Sequence, residues 1–135
     1  MSRLAETGEK IVDAYSMMKT AAVLLAIAAA GGLLMAVIRF GGADRPPSAI
    51  AMIHGLLAGS ALTLLIYAAA TVGLPSLALA ATGLLVVVAI VGVSLNLMYH
   101  DKRLPLPKGI IVVHGVVAVG AFVLLLMALM GSHAV

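Results

Sequence analysis

Two histidines stand 60 positions apart in nearly the same surroundings: His54 within IHGLLAG (53–59) and His114 within VHGVVAV (113–119). Neutral imidazole carries one N–H and one lone-pair nitrogen, so a histidine among apolar residues can tie two helices by a hydrogen bond, move a proton, or ligate a metal. A single such histidine is most simply a packing residue bonded to a carbonyl or hydroxyl of the next helix. Two at one depth point to a shared ligand, because an ionisable group within hydrocarbon is costly and faces a bundle interior or a cavity.

The elements that must position this pair follow from composition. Of 135 residues, 64% are hydrophobic and 10% charged, whereas soluble domains are nearer half apolar and a quarter charged. Four apolar runs, 17–38, 49–72, 74–99 and 110–130, each reach the roughly 20 residues that a helix needs to cross a bilayer. The remainder is a polar segment at 1–16, connections at 39–48 and 100–108, and the tight link TVGLPS at 71–76. The expected fold is all-α: one membrane domain, a four-helix transmembrane bundle running up-down-up-down, with helical hairpins at 17–72 and 73–135. Runs this long and apolar on every face argue against the alternating strands of a barrel. The start of the chain mixes charges of both signs, unlike a secretory leader, so the first span is expected to remain as an anchor. Within 1–16 and just beyond it, Leu4, Ile11, Tyr15 and Met18 would line one side of an interfacial helix.

A shift of 60 also superposes Pro47 on Pro107, Gly55 on Gly115, Ala58 on Ala118 and, in the preceding helices, Gly32 on Gly92. An even number of spans separates equivalent points, so a duplicated hairpin predicts a pseudo-twofold axis along the membrane normal. That axis sets His54 opposite His114. Proline suits the first turn of a helix, which puts each histidine about 10 Å of helix below the same surface. Gly32 and Gly92 reach this level on the neighbouring helices. With Gly55, Gly115, Ala58 and Ala118 they are expected to form a lining of small residues. Such residues let helices approach closely in lipid; they also leave a slot for a flat ligand.

The donor set narrows the ligand. Zinc and copper usually recruit three or four groups from Cys, His, Asp or Glu. Here no acidic residue lies between Asp44 and Asp101 or after Asp101, and His100, beside Tyr99 and Asp101, is expected near the surface, with His133 beyond it. The absence of cysteine excludes disulfides, thiolate sites and thioether-attached haem. Haem iron needs two protein ligands because the porphyrin supplies four, so His54 and His114 are the expected metal ligands of one non-covalent haem b. Arg45 and Lys108, with Arg39, Lys102 and Arg103, lie on the nearer surface, where propionates would face; each is equally accounted for as a topology charge. With both axial positions filled, electron transfer is favoured over oxygen chemistry.

In these features the chain resembles the small integral-membrane b-type cytochromes built on four helices, in which paired histidines on different helices hold haem inside the bundle. The resemblance covers the architecture and the two histidine motifs. Many such cytochromes stack two haems on four intramembrane histidines, whereas His54 and His114 make one pair. The expected exchange partner is quinone in the bilayer or a redox partner protein, with membrane lipid around the bundle and a homo-oligomer or larger membrane complex as its setting. Two alternatives stay open: a structural or accessory subunit without cofactor, and a binder of another metal or small ligand.

Other functions find little support. There is no Ser, His and acid set at a plausible depth, no phosphate-cradling glycine loop, no H-E-x-x-H, and no intramembrane carboxylate for a proton-coupled carrier. The basic residues lack the clustering and aromatic interleaving of a nucleic-acid surface, and the eight methionines are scattered as packing residues are. Arg39, Arg45, Lys102, Arg103 and Lys108 fall on the side of the long connections, against Arg3, Lys10 and Lys19 on the side of the termini. Excess Lys and Arg marks the cytoplasmic side, so the expected setting is multi-pass in the inner (cytoplasmic) membrane with both termini outside the cytoplasm.

Overall fold

The computed structural model describes residues 2–132, with the backbone alone for residues 2–5, 11 and 12. His133 and the side chains of Leu4 and Ile11 therefore lie outside the described residues. The described chain is all-helical. Helix α1 spans Ser2–Phe40, α2 Ser48–Thr71, α3 Ser76–Leu95 and α4 Lys108–Ser132, and a π-helical turn, Asn96–His100, continues α3. All four helices are long and apolar enough to cross a membrane. At 39 residues, α1 is about 60 Å long, twice the roughly 30 Å of hydrocarbon. It runs without interruption from the polar start into the apolar run. The first turns carry an exposed Glu6–Lys10 pair at 3.1 Å.

The breaks between helices have local causes. Gly73, at φ +83°, adopts the left-handed conformation that ends many helices, and Pro75 in an extended conformation (φ −57°, ψ 153°) leads into α3. Pro47 (φ −58°, ψ 136°) leads into α2 in the same way. Five hydroxyls, on Thr20, Thr71, Thr82, Ser94 and Ser132, donate to carbonyls four residues earlier. Each donor is satisfied within its own helix, as an apolar medium demands.

Packing is most extensive between α1 and α2 and between α3 and α4; contacts of α1 with α4 and of α2 with α3 close the ring. The histidine-bearing helices α2 and α4 thus stand across from one another. The core draws on all four helices, with Met18, Leu65 and Leu125 as its largest fully buried side chains. With them in the core are Ala21, Ala61, Ala78, Ala81 and Ala121, whose small size lets the helices close up. Leu33, Leu56, Val116 and Met130 are among the many large apolar side chains on the exterior, which matches surroundings of lipid tails and not water.

Burial along 61–70 recurs position by position along 121–130. Ala61, Leu65 and Ala68 are buried, and so are Ala121, Leu125 and Ala128. The packed core ends short of the histidines. Among the described residues none is fully buried from 29 to 45, 47 to 60, 86 to 94 or 107 to 120. The part of the bundle that carries His54 and His114 is accordingly the more loosely packed.

Candidate ligand site between two histidines

His54 and His114 each lie in the second turn of their helix, six residues after Ser48 and Lys108. Both are half-buried. Their ring centroids are 6.5 Å apart and the planes are inclined by 60°. The pairing expected from sequence is present in space.

Each ring rests against a glycine of the adjacent helix. A Cβ added to Gly32 would lie 3.1 Å from His54 Cε1 and 3.3 Å from its Nδ1; one added to Gly92 would lie 3.2 Å from His114 Cε1. Those separations are too short for comfortable contact, so glycine is what lets α1 and α3 approach the imidazoles. A Cβ added to Gly31 would lie 3.8 Å from the His54 Cβ, an ordinary contact. Gly32 and Gly92 therefore seat the rings themselves, a more local role than lining a slot.

His54 Nδ1 lies 2.7 Å from the Ala28 carbonyl oxygen. A carbonyl only accepts, so this contact requires the proton on Nδ1 and leaves the lone pair on Nε2. The Val88 carbonyl, 60 positions on, approaches His114, but without hydrogen-bond geometry, and His114 Nδ1 is buried with no partner. The Ala28 carbonyl was not legible from residue types. The available signal was positional: it stands one turn before Gly32, where the glycine admits the ring.

The other expected site residues divide. Ala58 and Ala118 are half-buried, one turn beyond the histidines on the same face. Gly55 and Gly115 stand in open space: a Cβ on either would meet nothing within 4 Å. Gly55 opens instead onto an external groove of α2 with Leu56, Gly59, Ser60, Thr63, Leu64 and Tyr67. Adjacent residues on a helix point about 100° apart, so a glycine next to an inward histidine faces elsewhere.

The basic residues divide too. The Lys108 ammonium sits over the Phe40 ring, 5.4 Å from its centroid. Arg39 donates from Nε to the Leu106 carbonyl at 2.8 Å and from its terminal nitrogen to the Ala43 carbonyl at 3.1 Å. Arg45 keeps a buried Nε without a partner. His100 departs from its expected surface position: it is buried, with Nε2 3.0 Å from Ser48 Oγ.

Chemically, the pair offers two imidazoles and no third donor. Among the described residues no group of three or more His, Cys, Asp or Glu could hold a metal ion. Two metal–nitrogen bonds of about 2 Å, plus the half-width of each ring, ask for centroids roughly 6 Å apart. The observed 6.5 Å is in that range. Comparison with protein-family models, curated proteins and solved structures finds no match.

Proposed function

We propose that the chain is an integral membrane protein of two duplicated helical hairpins, arranged up-down-up-down, that binds one haem b between His54 and His114 and transfers electrons. The observation that carries this reading is the imidazole pair with ring centroids 6.5 Å apart, supported by the Ala28 contact that leaves His54 Nε2 free to ligate. Ligating histidines commonly donate their other N–H to a carbonyl, which fixes tautomer and ring orientation. The recurrence of burial and glycine contacts at a spacing of 60 supports the duplication.

When bound, the haem would supply a one-electron couple. His54 and His114 would hold it, Gly32 and Gly92 seat the imidazole rings, and the small Ala58 and Ala118 would keep bulk away one turn deeper. With His54 and His114 both engaged by the group, its chemistry would be electron exchange with quinone in the bilayer or with a redox partner protein. The Ala28 bond also suits a second reading, in which the histidines tie helices in a structural subunit without cofactor. Haem-replete expression, gentle solubilisation and a pyridine haemochrome assay separate the two. One haem per chain is expected, and a colourless protein would overturn the haem reading.

A further inference from the structure

Helices α2 and α4 share their inward face and differ on the outward one. Ala61, Leu65 and Ala68 are buried on α2, and Ala121, Leu125 and Ala128 at the equivalent positions of α4. Away from that core, Gly55, Leu56, Gly59, Ser60, Thr63 and Tyr67 share one external groove of α2, and all six are exposed. At about 100° per residue, Thr63 and Tyr67 each stand roughly 200° from Leu65, on the far side of the helix. Sixty positions on, the outward face of α4 carries Val116, Val119, Gly120, Val123 and Met127, also exposed. That set suits lipid tails. The α2 set brings three hydroxyls into the same surroundings.

Five helical Ser and Thr hydroxyls, that of Thr71 in α2 among them, donate to carbonyls four residues earlier. Ser60, Thr63 and Tyr67 do not: among the described residues their side chains make no hydrogen bond. A hydroxyl that faces hydrocarbon without a partner is unfavourable, and Ser and Thr commonly bond across membrane helices. Beside these hydroxyls the groove has a floor of bare backbone. Gly55 and Gly59 stand four residues apart, and a Cβ on either would meet nothing within 4 Å, the spacing at which two membrane helices approach most closely. On α4, Val119 replaces Gly59 and fills that shelf. The fold itself does not need the polar face, since α4 supplies the equivalent core positions without it.

We infer that this face of α2 is a dimer interface, covered by the same face of a second copy of the chain. Copies inserted in one orientation bring α2 beside α2 in parallel and at one depth, so each hydroxyl level meets its own counterpart. A hydroxyl both donates and accepts, which makes the row complementary to itself, and the face carries no charge that would oppose a like copy. Such a contact is isologous and closes at two copies. Against α4 of a neighbouring copy the hydroxyls would meet Val119, Val123 and Met127 and stay unpaired, and that heterologous contact would leave open ends. The inference stands apart from the haem reading, because the groove lies across the helix from the core-facing side.

The chain has no cysteine, so single cysteines report contacts directly. Leu56 and Val116 are equivalent positions of equal exposure, 67% each. Leu56→Cys and Val116→Cys proteins are reconstituted in phosphatidylcholine vesicles at rising lipid dilution and oxidised with copper phenanthroline, and gels give the disulfide-linked fraction. Leu56→Cys is expected to yield a linked dimer, and Val116→Cys only the background of random collision. Gly59→Val, Thr63→Val and Tyr67→Met place the residues of α4 on α2, so the fold should tolerate them, which circular dichroism and thermal unfolding check. In the Leu56→Cys background, Gly59→Val should weaken dimerisation roughly tenfold, and Ser60→Ala or Thr63→Val roughly threefold each. Equal linkage at 56 and 116 overturns the interface, as does linkage at 56 that Gly59→Val and Thr63→Val leave unchanged. Absence of linkage at 56 overturns self-pairing; a photoreactive maleimide on the Leu56→Cys thiol in native membranes then shows whether an unlike membrane subunit or lipid alone covers the face.

Discussion

Each imidazole in the pair depends on one close neighbour that a single atom could displace. On the proposed haem reading, His54→Ala and His114→Ala are each expected to abolish a six-coordinate low-spin spectrum of the oxidised, haem-loaded protein by electron paramagnetic resonance and visible absorption. A variant of either that keeps the spectrum unchanged would exclude a shared ligand. Gly32→Ala puts a Cβ 3.1 Å from His54 Cε1, so the ring must shift by a few tenths of an ångström, which strains its bond to the Ala28 carbonyl. Overpacking of about 1–3 kcal/mol predicts a roughly 5- to 150-fold loss of haem affinity. Gly92→Ala should act similarly through His114, at 3.2 Å. Gly55→Ala is the contrast, with nothing within 4 Å of the added Cβ, and its haem occupancy should match wild type.

Among the elements, α2 and α4 share more than their histidines. Ala61 and Ala121 are both fully buried in the core, at equivalent positions of the two helices. Ala61→Leu and Ala121→Leu should therefore destabilise by similar amounts, about 1–3 kcal/mol each, whereas Ala70→Leu, at an exposed position of α2, should cost little. Thermal unfolding in one detergent, followed by circular dichroism, gives the comparison. A large inequality between the two core variants would argue against equivalent halves. The 60-residue correspondence breaks at Phe40 and His100, where Asn96–His100 form a π-helical turn and the equivalent residues of α1 stay α-helical.

For the whole molecule, the contacts of Arg39 with Leu106 and of His100 with Ser48 bring the two long connections to one end of the bundle. The groove formed by Lys10, Tyr15, Gly73, Leu74 and Ser132 joins the start of α1, the short link and the end of α4 at another. Five basic residues on the connection side against three on the side of the termini predict that the C-terminus faces away from the cytoplasm. Paired C-terminal reporters, one active only in the cytoplasm and one only outside it, measure this directly. Cytoplasmic activity would reverse the orientation.

Residue type and spacing by themselves determined that four helices would form, where prolines would lead into them, and that His54 and His114 would share a level. Helix length, hydropathy and a 60-residue offset are properties of the chain alone, and a helix in an apolar medium keeps its backbone bonds internal. Tertiary structure decided which way each side chain looks. Gly55 adjoins His54 in sequence yet opens onto an external groove of α2, because rotation about the helix axis turns it, while Gly32 and Gly92 meet the rings because two helices approach closely there. His100 looked superficial from Tyr99 and Asp101 beside it. A π turn changes the helical phase without any mark in composition, and with it the burial of the last residue and the need to satisfy its nitrogen.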